Sequence, residues 1–194
     1  MTRLLHHATW LGLALALASC GGAQTPSGPT EADRVDPRHL YPLGDGYVWT
    51  YDVDTGTGLN TLAISRVVAH RGNRFEVSNG SDPIPYEVRP EGIFRVDKQT
   101  WLLRRPIRVG ESWESALGGR AEVTNIHATA ETVEGTFRDC VEIRETGENR
   151  QVRSIFCMDI GLVFLESIQS LPIPGEHVTA TARLRGHLFG PAEE

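Results

Sequence analysis

The sequence predicts a mainly β protein, an antiparallel meander forming a half-barrel or barrel-like sheet with little helix. Three observations predict it. Apolar or aromatic residues alternate with polar ones in segment after segment, the period of a half-buried strand. Turn signals rich in Gly, Asn, Asp and Pro recur about every ten residues, the spacing of an up-and-down barrel or a sandwich. No segment carries an amphipathic helical repeat of useful length, although residues 36–41 fit one short turn.

The N-terminus follows another logic. Arg3 supplies a positive start, and the run from Trp10 to Ala18 is apolar. That run is too short for a bilayer-spanning helix, which needs about 20 apolar residues, but it has the length of a secretory signal core. Leu17-Ala18-Ser19-Cys20 resembles the lipobox of bacterial lipoproteins, which implies cleavage before Cys20 and acylation of its thiol, palmitate included. Several acyl chains on one cysteine anchor a protein stably, whereas a single chain binds only marginally. Residue 21 is Gly and not the Asp that holds enteric lipoproteins at the inner membrane, so the expectation is the cell outer membrane. Residues 21–37 are rich in Gly, Pro, Ser and Thr and nearly devoid of large apolar side chains, as a tether is. The expected organisation is a signal peptide over 1–19, the lipidated cysteine and tether over 20–37, and a β domain over 38–190.

That domain, roughly 155 residues, suffices for one core. The net charge is −6, and losing Arg3 with the signal leaves about −7. This acidity argues against nucleic acid. The densest basic cluster, Arg104, Arg105 and Arg108, is broken by Pro106 and reads as a solvated loop or strand edge.

Along the domain, Tyr47, Trp49, Tyr51 and Val53 share one face of a first strand. The Asp52–Gly58 stretch turns into a second over 59–70, and Arg71-Gly72-Asn73 turns into a third around Phe75 and Val77. Residues 86–89 and 93–96 flank Pro90-Glu91-Gly92 as a hairpin. Trp101-Leu102-Leu103 leads through Pro106 to Trp113. Residues 121–128, 136–146, 151–158, 162–168 and 177–187 complete the alternating series.

With Cys20 acylated, Cys140 and Cys157 remain, and an even remainder in an exported protein suggests a disulfide. Register supports it. If residues 147–150 form a hairpin loop and Thr146 opposes Gln151, Cys140 opposes Cys157, within bridging distance. Closing that loop contributes about 3 kcal/mol in the chain-entropy model. The same register turns Val141, Ile143, Val152 and Phe156 to the other face and sets Arg144 against Arg153, a mildly unfavourable pair.

No pattern for catalysis emerges. His39, His70, His127, His177 and His187 lack zinc-ligand spacings, so no metal and no cofactor is expected. Asp52-Val-Asp54-Thr-Gly56 begins like a calcium loop but has Gly and Thr where a ligand and Gly belong, which favours a hairpin turn. There is no nucleophile elbow, phosphate loop or Ser-x-x-Lys. The expectation is a protein without enzymatic activity. Tyr47, Trp49, Tyr51, Trp101 and Trp113 read either as ordinary core or as the lining of an apolar cavity.

Residues 41–51 (Tyr-Pro-Leu-Gly-Asp-Gly-Tyr-Val-Trp-Thr-Tyr), the phrase from Leu103 to Trp113, Gly135–Val141 and Gly161-Leu162-Val163 are together similar to uncharacterised bacterial envelope lipoproteins. The resemblance implies a relative of the half-barrel carriers and receptors of lipoproteins, with an apolar concave face and no catalytic residues. The long helices that plug such half-barrels are not evident in this sequence. Two functions follow as expectations: a tethered domain that binds or stabilises another envelope component, or a carrier or sensor of an acyl chain or lipid in the concave sheet. Packed aromatics and a polar sheet surface go with the first, a cavity of several hundred Å3 with the second.

Overall fold

A computed structural model describes residues 35–173 and 175–190; the signal, Cys20 and nearly all of the tether lie outside the described residues. Twelve antiparallel strands form one sheet. They are β1 Val48–Asp54, β2 Asn60–Arg71, β3 Arg74–Ser78, β4 Ile84–Arg89, β5 Gly92–Arg95, β6 Thr100–Arg104, β7 Ser112–Glu114, β8 Arg120–Thr132, β9 Gly135–Thr146, β10 Arg150–Cys157, β11 Gly161–Ser170 and β12 His177–Leu188. Strands consecutive in the chain are neighbours in the sheet except β6 and β7, which form its two edges. The first and last strands, β1 and β12, pair over the whole length of β1.

Those edges face one another. The Thr100 hydroxyl of β6 donates to the Glu114 carbonyl of β7, and Trp113 Nε1 of β7 donates to the Trp101 carbonyl of β6, at 2.8 Å. The sheet is therefore a nearly closed up-and-down barrel whose seam lies mid-chain. Each edge thus has one carbonyl satisfied by a side chain of the other, which blunts its capacity to template aggregation. Bulges at Thr50/Tyr51, Val67/Ala69, Ile93/Phe94 and Ile155/Phe156 add the local twist that a closing sheet needs.

Among the described residues the only helix is α1, Pro37–Leu40. The Asp36 side chain caps it by accepting the Arg38 N–H at 2.9 Å, and Pro37 sits in the first turn, where its missing N–H costs nothing. The Asp159 N–H donates to the His39 carbonyl at 2.7 Å and ties this turn to the β10–β11 connection. Leu40 and Tyr41 are thereby driven into the barrel end as a plug. Tyr41 stacks on Trp49 with ring centroids 5.6 Å apart and meets Phe156 and Tyr86 edge-on. Trp49 is fully buried, its Nε1 donating to the Ile160 carbonyl at 2.7 Å. The next residue, Gly161, has φ +104° and lies under that indole, where a Cβ would come within 3.1 Å of Nε1.

The β9–β10 hairpin has the register read from its sequence. Gln151 pairs Thr146, Arg153 pairs Arg144 and Phe156 pairs Val141, and Cys140 and Cys157 form a disulfide. The opposed arginines are reconciled by buried Glu142, which accepts from Arg153 Nε at 2.8 Å and lies 3.8 Å from Arg144. Val141, Ile143, Val152 and Phe156 are buried, as expected, but so are Cys140, Glu142 and Ile155 on the opposite face. The reason is the long β8–β9 hairpin. Register shifts at Val123/Asn125, Asn125/Ala128 and Ala128/Ala130 bend it back over β11 and β12, and its tip residue Glu134 pairs with His187 at 2.8 Å.

Candidate functional site

Inside the barrel, beyond the Tyr41 plug, the side chains do not fill the space. A cavity of about 410 Å3 remains, within the size range of small-molecule sites. Its deep end is Tyr41, Tyr51, Phe156 and Leu162; Asn79, Leu117 and Arg150, at the strand ends and loops away from α1, border the other. Strand alternation explains the lining. Ala63 pairs Tyr51 across β1–β2, Tyr86 pairs Arg95 across β4–β5, and Ser154 pairs Leu165 across β10–β11, so each pair presents the same face to the interior.

The wall is mixed in chemistry. Val152, Phe156, Leu162, Leu165 and Leu102 are its apolar members. Among them and across the cavity stand Tyr86, Arg95, Glu145, Ser65 and Ser154, the last lying between Val152 and Phe156 on β10. Tyr51 donates its hydroxyl to the Leu162 carbonyl at 3.0 Å. Arg95 is held by Asp97, with Nε and Nη2 donating to the two carboxylate oxygens at 2.9 and 3.0 Å. Glu145 accepts from Ser115 Oγ at 2.6 Å. Burial pushes the phenols of Tyr41 and Tyr51 well above the ordinary tyrosine value, and Tyr86 up to about 12, so all three stay protonated at neutral pH. The Arg95 guanidinium beside Asp97 holds that carboxyl below the usual carboxylate range.

Of the five aromatics read as cavity candidates, only Tyr51 borders the cavity. Trp49 is spent in the plug, and Tyr47 stacks on Phe189 at 4.5 Å between centroids, outside the lining. Trp101 packs edge-on against Phe94, and both Trp101 and Trp113 belong to the β6/β7 seam. Their indole N–H or carbonyl groups need partners, and the nearest ones lie at the barrel end and the seam. Sequence reasoning did not single out Tyr41, Tyr86, Arg95, Glu145 or Ser154. The one available signal was alternation that places Tyr86 and Arg95 on the inward face of a hairpin.

Four of the five described histidines find a side-chain partner, His187 being the one paired with Glu134. His39 lies 2.6 Å from Asp159, His127 3.3 Å from Asp139, and His70 stacks on Phe75 while contacting the Gly72 carbonyl. Among the described residues no three His, Cys, Asp or Glu side chains converge as metal ligands would. The Asp52–Gly58 stretch is a hairpin turn in which Asp54 accepts the Gly56 N–H at 2.8 Å. A broader depression of about 740 Å3 lies outside the barrel over Asp52, Asp54, Leu62 and Arg183, beside the Arg185–Asp52 ion pair; it is an open surface and not an enclosed site.

No protein-family model matches the sequence, and no curated protein does. Two crystal structures are similar in the course of their chains. One is a protein described as exported, with a YmcC-like fold, from Bacteroides fragilis; it is 13% identical with a TM-score of 0.47, over 77% of this chain and 98% of that one. The other is a protein described as a lipoprotein from Parabacteroides distasonis, 11% identical with a TM-score of 0.39, again over 77% of this chain and 98% of that one. Values this low carry no function across.

Proposed function

We propose that the chain is a lipid-anchored protein of the bacterial cell envelope that binds without catalysis, its barrel holding an amphipathic ligand in the interior cavity. The envelope assignment rests on the signal-like run, the Leu17–Cys20 motif and a Cys140–Cys157 bridge suited to an oxidising compartment. The membrane is reached through acylated Cys20, and Gly21 favours the outer membrane. The observation that carries ligand binding is the cavity of about 410 Å3, part apolar and part hydroxyl-lined, in a barrel whose plug and seam are otherwise tightly packed.

A second reading, contact with another envelope protein, is favoured by the outer face of β2. Leu62, Ile64 and Val68 are 55%, 50% and 42% exposed there in one strand.

The test uses the chain from residue 21, without the lipidated cysteine, behind a cleavable signal, purified from a bacterial periplasm without detergent and weighed by native mass spectrometry. A stoichiometric added mass matching an acyl lipid is the expected result. A bare mass, even with lipid supplied in excess, would sink the ligand reading and leave the β2 face as the functional surface.

A further inference from the structure

We propose that the cavity takes an acyl chain bearing a neutral carbonyl head, an ester or amide, received by the hydroxyls of Tyr86 and Ser154. This rests on the ligand-binding reading above and narrows its ligand. Tyr86 and Ser154 line the cavity from β4 and β10 and are only 6% and 5% exposed. Among the described residues neither hydroxyl has a hydrogen-bond partner, yet no fully enclosed side-chain nitrogen or oxygen is left without one. Both hydroxyls are therefore open to the cavity and not sealed against protein. Buried polar groups nearly always find a partner, so two such donors lining one cavity from β4 and β10 point to an acceptor that the chain itself does not supply. Burial keeps the Tyr86 phenol protonated, and it stays a donor at any physiological pH.

The charges around these donors select the head. Arg95 stands across the β4–β5 pair from Tyr86, but Asp97 already engages it through two hydrogen bonds. Glu145, on the same lining and bonded to Ser115, adds a negative charge. A free carboxylate entering here would meet Glu145 and a guanidinium that is already matched. A cationic head would meet the Arg95 guanidinium. A neutral carbonyl accepts from the hydroxyls and opposes neither, because only an ion pays the full cost of leaving water unpaired. Val152, Phe156, Leu162 and Leu165 supply the apolar wall for the chain. Glycerolipid esters and the amide of an N-acylated lipoprotein cysteine share this chemistry.

The experiment titrates the delipidated mature chain, from residue 21, with 1-lauroylglycerol, N-lauroylglycinamide and laurate, following each by calorimetry. The neutral lipids are expected to bind about tenfold or more tightly than laurate, and Tyr86→Phe to weaken the neutral lipids about tenfold while leaving laurate unchanged. This variant keeps the ring that packs on Tyr41, and Ser154→Ala serves as the second probe if it does not fold. Tighter binding of the glycerol ester identifies a glycerolipid source, and of the amide an acylated-cysteine source. Laurate binding as tightly as the neutral lipids, or wild-type affinity in both variants, would overturn the proposal while leaving a lipid-binding cavity. Failure of all three lipids to bind would overturn both.

Discussion

Trp113 shows what a single side chain contributes to this fold. Its ring is buried, but its indole N–H also joins the two free edges of the sheet by donating to the Trp101 carbonyl. Trp113→Phe keeps an aromatic body and removes that donor, so urea unfolding should show a loss of about 1–3 kcal/mol. An unchanged midpoint would mean that the seam is held by strand packing alone. The buried phenols set a pH limit. The folded values of Tyr41, Tyr51 and Tyr86 lie above the unfolded one, so the stability linked to their neutral forms is complete below about pH 10. It falls as pH rises toward the folded values, Tyr86 being up at about 12. The urea midpoint should therefore drop on going above pH 10, together with delayed tyrosinate absorbance; full ionisation of every tyrosine near pH 10 in the folded state would contradict this. At Cys20, outside the described residues, Cys20→Ala should abolish incorporation of an alkyne-tagged fatty acid and release the protein from membranes.

The β9–β10 hairpin was legible as an element because its information is local. A loop read at 147–150, which the structure places at 147–149, and alternation on both sides set the register, and the register set the disulfide. Replacing both Cys140 and Cys157 by Ser should cost about 3 kcal/mol, since the bridge spans 17 residues. A loss under about 1 kcal/mol in urea unfolding would show that the denatured chain keeps this hairpin. What the sequence concealed was the bend in β8–β9. Cys140, Val141, Glu142 and Ile143 are buried in succession, a run that reads as half polar until the hairpin tip is seen folded over β12. The role of Glu142 between Arg144 and Arg153 was hidden for the same reason, since the ion pair depends on a covered face.

At the scale of the molecule, alternation and turn spacing announced an antiparallel meander, but not where it closes. The seam depends on Thr100 and Trp113 meeting groups more than ten residues away in non-paired strands, and no local pattern encodes that. Among the described residues no long helix plugs the sheet, and tertiary packing explains why. One turn, Pro37–Leu40, with Tyr41 behind it, suffices to plug a barrel this narrow. The cavity was the least legible feature, because it is the volume left after Tyr41, Tyr51 and Tyr86 have been placed. Aromatic residues that looked suited to line it serve the plug and the seam instead. This leftover volume is where the proposed ligand binds. A direct test fills it: Ala63→Phe projects a ring from β2 into the space that Ser154 and Leu165 also line. Native mass spectrometry of the periplasmic protein should find a bound lipid mass on wild type and a bare chain for Ala63→Phe, with both equally folded by circular dichroism. The same lipid mass on both proteins, or on neither, would contradict the claim.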